Sequence, residues 1–208
     1  MSITYKHIDE EFEYDGSQID PSWAFREFGI YGSSIITWLG PVNITPDNLK
    51  DFADVGLEIT SSKMANFICE FFDQQPVNMR VAYLRQRLLV MIFRELLTEY
   101  GVKTTRSGDD IYVGERKLSI SIASVSISSA KIHFAFNIED KGTPDDVSTI
   151  GLLDIENDTG KVFKENDLKE FIETIALRFI SEIETIEKDI SKTKVLMWKF
   201  WLMVFNLI

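Results

Sequence analysis

Apolar residues recur along this chain with more than one period, and each period predicts a different element. Leu168, Phe171, Ile172, Ile175, Phe179, Ile183 and Ile186 repeat every three or four positions, the stripe of an amphipathic helix. Asp167 and Glu170 stand before it at capping-box spacing. A second helix is predicted from about Met79 to Tyr100, with Leu84, Leu88, Met91, Ile92 and Leu96 inward and Gly101 closing it. Met64, Phe67, Ile68 and Phe71 fall at helical spacing behind Ser61 and Ser62, which predicts a third helix ended by DQQPVN. Thr45 and Pro46 open a shorter one that stops near Gly56. Between Gly32 and Gly40 the Ile-Ile-Thr-Trp run predicts a strand.

From residue 106 the period changes to two. In RSGDDIYVGERKLSISIASVSISSAKIHFAFNI, alternation puts Leu118, Ile120 and Ile122 on one face and Lys117, Ser119 and Ser121 on the other. The returning strand carries Ile132, Phe134, Phe136 and Ile138 on its core face, and His133, Ala135 and Asn137 on the opposite one. Short hydroxyls beside one lysine and one histidine leave room over the sheet, so this face is expected to be concave and to meet a ligand. Strands and helices mix without regular βαβ alternation. The expected class is therefore α+β, a predominantly antiparallel sheet flanked by helices.

Length and charge narrow the function. With 208 residues, 45% of them hydrophobic, the chain can bury one real core. Residues 1–194 are expected to form a single domain, and 195–208 an apolar C-terminal tail. A net charge of -11 repels phosphate backbones, so nucleic acid is not an expected partner. Cys69 is the single cysteine; it excludes an internal disulfide or a cysteine cluster. Two histidines, His7 and His133, exclude a histidine-rich metal site, and HExxH, Walker A and GxGxxG patterns are absent. The acidic N-terminus lacks the apolar run of a secretory signal, and the expected location is the cytoplasm.

RSGDDIYVGERKLSISIA and KIHFAFNI resemble the lysine-bearing strand and the returning strand of biotin and lipoate protein ligases. Over nearly the whole chain, including YDGSQIDPSWAFREFGI and LRQRLL, the sequence resembles an uncharacterised archaeal family placed beside those ligases by fold. The resemblance implies a ligase-like fold and a small acyl or carboxylate ligand. It also implies ATP with Mg²⁺ to form an acyl-adenylate, and an acyl-acceptor protein. Lys117 falls at the ligases' lysine, where a fixed ammonium lowers the repulsion between carboxylate and phosphate; His133 falls on the pocket wall. Ser119 stands where the ligases usually carry a flexible glycine, and no Arg-Gly-Gly loop occurs. The alternative is a non-catalytic ligand-binding or assembly protein that keeps the fold without that loop.

Other candidates are weaker. Arg85 and Arg87 lie on the helix beginning at Met79, where one of them could meet a phosphate or carboxylate bidentately. Asp15, Ser17 and Gln18 follow Tyr14 around a glycine turn, which suits either an ordinary turn or a recognition loop. The terminal VLMWKFWLMVFNLI is too short for a transmembrane helix, which needs about 20 residues. It is expected to dock on this chain or to join two copies as a homodimer.

Overall fold

The computed structural model describes residues 2–158 and 160–194. The apolar tail, and the homodimer expected from it, therefore lie outside the described residues. In chain order the elements are β1 (Thr4–Ile8), α1 (Trp23–Phe28), β2 (Ser34–Asn43), β3 (Thr60–Phe71), α2 (Met79–Glu99), β4 (Thr105–Ser107), β5 (Asp110–Val113), β6 (Arg116–Lys117), β7 (Ser119–Val125), β8 (Ala130–Asn137), β9 (Glu156–Asn157), β10 (Gly160–Lys161) and α3 (Leu168–Lys192). The main sheet runs β1-β2-β3-β8-β7. Only β1 and β2 are parallel; the other pairs are antiparallel. This is the expected α+β class.

Both faces of the sheet are covered, which explains where sequence periodicity misled. On one face Phe67, Phe134 and Phe136 meet α2 and α3, with Phe93 stacked on Phe136 and Phe171 edge-on to it. On the other face Ile36, Trp38, Met64, Ile68 and Ala135 lie under Tyr14 and Trp23 from the N-terminal segment. A central strand buried on both faces carries apolar residues at nearly every position, a run that periodicity alone cannot separate from a buried helix. The helix predicted behind Ser61 and Ser62 is accordingly the twelve-residue strand β3.

Two further expectations are corrected. The segment from Thr45 to Gly56 forms two 3-10 turns, Pro46–Asn48 and Phe52–Asp54, rather than one helix. It has no core to lie on: Phe52 is 96% exposed. The helix α2 starts and stops as predicted, its Asn78 side chain capping Arg80 and Val81, but its buried face is rotated. Ala82, Gln86, Leu89, Val90, Phe93 and Leu97 are buried together with Ile92 and Leu96, whereas Leu84 is exposed. The α3 stripe is buried from Leu168 through Ile183. Asp167, instead of capping α3, accepts from the Lys164 amide one turn earlier.

Candidate functional site

A cavity of about 320 Å³ lies over the outer face of the sheet, at the small end of the range for ligand pockets. Its floor comes from register. Ile120 pairs with Ala135 and Ile122 with His133 across β7 and β8, so these side chains share one face. Ser119 pairs with Phe136 and Ser121 with Phe134, so the serines point to the helix side. The expected parity is thus inverted from Ser119 to Ile122, while Leu118 keeps its expected place in the helix-side core. The isoleucines assigned to the core floor the cavity, because the outer face is itself a second core.

The buried Ser119 and half-buried Ser121 replace lost water with hydrogen bonds. The Ile111 amide donates to Ser119 Oγ at 3.0 Å. Ser121 Oγ donates to Asp109 Oδ2 at 2.8 Å, and Gln86 Nε2 donates to the same oxygen at 3.0 Å. Arg87 closes this network with an ion pair to Asp109 at 3.3 Å. Ser121 and Arg87, predicted to contact ligand, therefore hold a carboxylate at the cavity edge.

Lys117 is fixed by its backbone from two sides. It pairs with Tyr112 of β5, while its amide donates to the Ser148 carbonyl and its carbonyl accepts from the Ile150 amide. Its ammonium lies 2.8 Å from Asp110 Oδ2, with both side chains about a quarter exposed. Across β8, His133 is 1% exposed and stacks on the Tyr14 ring at 3.6 Å between centroids. His133 Nε2 donates to Asn66 Oδ1 at 3.1 Å, and the Asn66 amide nitrogen turns toward the Gly40 and Met64 carbonyls. An oxygen can only accept, so the histidine proton sits on Nε2 and Nδ1 keeps its lone pair. Desolvation pushes the imidazole pKa down to about 3. His133 is thus a neutral wall, with little basicity to offer as a general base near neutrality.

Tyr14 reaches His133 because backbone pairing holds it there. Its amide donates to the Pro41 carbonyl and its carbonyl accepts from Asn43, beside a register shift between Gly40 and Val42. Gly40 is required at this crossing: a Cβ would collide with the Phe12 carbonyl. Asp15, Ser17 and Gln18 do not border the cavity. Ser17 donates through N and Oγ to Asp15 Oδ1, and Gln18 Nε2 donates to the Glu13 carbonyl, a self-contained turn that carries Tyr14. Arg85 is likewise elsewhere, paired with Asp73 at 2.8 Å and lying over the Phe71 ring. Of the sequence candidates, Lys117, Ser119, Ser121, His133 and Asn137 border the cavity.

Carboxylates dominate the cavity wall. Asp51, Asp54, Glu58, Asp109 and Asp110 face it against Lys50 and Lys117. Burial raises the Asp54 pKa, and Asp51, Asp110 and Asp109 raise it further while Lys117 opposes them. The SGDD turn carried the signal for Asp109 and Asp110; nothing local in the sequence marked Asp54 or Asn66. Among the described residues no group of three His, Cys, Asp or Glu side chains is placed to hold a metal ion. Bare polyphosphate does not fit this donor set, since both lysines already pair with carboxylates, Lys50 with Asp20 and Lys117 with Asp110.

Residues 3–194 match the model of a domain of unknown function, DUF366. The chain belongs to that family. It is 38% identical over 200 residues to an uncharacterized protein of Methanocaldococcus jannaschii, covering 93% of this chain and 84% of that one. A protein of unknown function from Pyrococcus horikoshi superimposes with a TM-score of 0.84 at 38% identity, over 94% of this chain and all of the other. The DUF366 chain also shares its fold with ligases. Biotin protein ligase from Aquifex aeolicus, in complex with biotin and ATP, gives a TM-score of 0.55 at 11% identity, covering 86% of this chain and 71% of the ligase. A putative lipoate protein ligase from T. acidophilum with bound lipoic acid gives 0.53 at 12%, covering 88% and 86%. The ligase-like α+β fold expected from residues 106–138 is thus present.

Proposed function

We propose that this protein binds a small carboxylic acid in the cavity over β7 and β8, on a ligase-like scaffold. The observation that carries this reading is the joining of Lys117 to an apolar floor. An ammonium stands at one side of a cavity floored by Ile120 and Ile122 and walled by the neutral Tyr14–His133 stack, which suits an anionic head with an apolar body. The fold neighbours lend it support, since one is bound to biotin and another to lipoic acid. Binding without activation fits the wall better than acyl-adenylate formation: five carboxylates oppose an unaccompanied nucleotide, and no Arg-Gly-Gly loop occurs in the chain.

Calorimetric titration of short- and medium-chain acids, biotin and lipoate, each with and without Mg²⁺ and ATP, tests the reading. One acid should bind, and Lys117→Ala should weaken it at least tenfold, about 1.4 kcal/mol, with the unfolding midpoint nearly unchanged. Equal affinity in variant and parent removes Lys117 from the site. Adenylate formation from any of these acids with ATP would replace this reading with that of an acyl ligase.

A further inference from the structure

The charges around the cavity do not balance, and the imbalance narrows the ligand. Each basic side chain near the mouth is already committed: Lys117 to Asp110 at 2.8 Å, Arg87 to Asp109 at 3.3 Å and Lys50 to Asp20 at 3.6 Å. Asp54 borders the cavity yet has no basic partner within ion-pair distance among the described residues. Its carboxyl is raised first by burial and then by Asp51, with Lys117 as the only group lowering it. A plain carboxylic acid adds a negative charge to this wall and leaves Asp54 unanswered, so like-charge repulsion weakens it relative to an acid that also carries a cation.

A second feature is independent of the acids. Asn137 is 4% exposed and borders the cavity. Its Oδ1 accepts from Ser61 Oγ at 3.1 Å, while its amide nitrogen has no acceptor among the described residues. That nitrogen is not sealed from solvent, so it is open to donate to an acceptor in the cavity that Asn137 borders. The Asn137 amide donates to the Leu118 carbonyl at 2.9 Å, which sets Asn137 next to the strand segment that carries Lys117. A ligand acceptor is thus wanted beside Lys117, and a ligand cation beside Asp54.

We propose that the acid bound here is an amino acid with an apolar side chain. Its carboxylate meets Lys117 and Asn137 Nδ2, its ammonium meets Asp54, and its side chain lies on Ile120 and Ile122. A zwitterion adds no net charge to the wall and answers both unpaired groups. The inference rests on the carboxylate-binding reading above and adds the ammonium.

Calorimetry with L-leucine, its des-amino analogue 4-methylpentanoate and its decarboxylated analogue isoamylamine tests it, with L-phenylalanine, 3-phenylpropanoate and 2-phenylethylamine as a larger series. The amino acid of one series should bind at least tenfold tighter than either analogue. Asp54→Asn should abolish its advantage over the des-amino acid without weakening the acid itself. Asp54 ends the 3-10 turn Phe52–Asp54, outside the sheet, so its replacement spares the strands; an unchanged circular dichroism melt confirms this. If the des-amino acid binds as tightly as the amino acid, or Asp54→Asn leaves the preference intact, the ammonium assignment is wrong while carboxylate binding stands. No binding by any acid or amino acid at millimolar concentration overturns both.

Discussion

At the residue scale, His133 makes the sharpest statement. The same burial that suits it to wall an apolar cavity denies it a charge, because among the described residues no carboxylate sits beside it to offset the lost hydration. Its imidazole is held at about 3 when folded and returns to about 6.5 when unfolded. The unfolded chain therefore binds more protons between these values. The histidine's stabilising contribution is full above about pH 6.5 and falls as pH drops toward 3, by about 1.4 kcal/mol per pH unit within that window. Urea unfolding of the parent and of His133→Gln at pH 7 and 5 should show the parent losing more stability than the variant; equal losses would place the imidazole in contact with water. Glu70 is a second buried polar anchor. It is 2% exposed and accepts from the Ser22 amide at 2.9 Å and Ser129 Oγ at 2.6 Å, tying the N-terminal segment to the sheet. Glu70→Ala should cost about 1–3 kcal/mol by the same denaturation assay.

Elements act here by what they cover. The N-terminal segment is fastened to the outer face by the Tyr14 pairing with β2 and by Trp38 Nε1 donating to the Phe12 carbonyl at 3.0 Å. A Cβ at residue 40 would push this segment off. Gly40→Ala should therefore destabilise by roughly 1–3 kcal/mol and also weaken ligand binding, since Tyr14 and His133 would no longer stack; tryptophan fluorescence and calorimetry on one sample report both. Phe93→Ala acts on the other face. It removes the ring that packs against Phe134, Phe136 and Phe171 and should cost about 3–5 kcal/mol. Because the sheet separates the two cores, ligand affinity in the still-folded variant should stay within twofold of the parent.

For the whole molecule, net charge governs approach. A chain at -11 slows the encounter of anions, and salt screens that repulsion over about 10 Å at 0.1 M. The association rate of a monocarboxylate should rise as salt goes from 50 to 300 mM, while that of a zwitterion should stay nearly flat; stopped-flow measurement distinguishes the two. No helix among the described residues is long and apolar enough to cross a membrane.

The α2 limits, the apolar stripe of α3 and the strands of residues 106–138 were legible along the chain, and Lys117 and His133 border one cavity as expected. Turn residues and long periodic stripes act locally, so their meaning survives without the partner they pack on, whereas the N-caps expected at Thr45, Ser61 and Asp167 are not formed. The face that each strand residue takes was not legible. Ser119 and Ser121 read as an open, ligand-facing side of the strand and proved to be hydrogen-bonded beneath α2, while Ile120 and Ile122 read as core and proved to floor the cavity. Alternation separates the two faces of a strand but does not say which is covered, and here both are. The same ambiguity made β3 resemble a helix. Asp54 and Asn66 join the expected Asn137 around the site from segments that lie far apart in the chain, so their meeting depends on register and on the crossing at Gly40. Composition dictated an acidic molecule with one buried core residue after another; only the packed sheet decided that its lysine and its unpaired amide and carboxylate would face the same space.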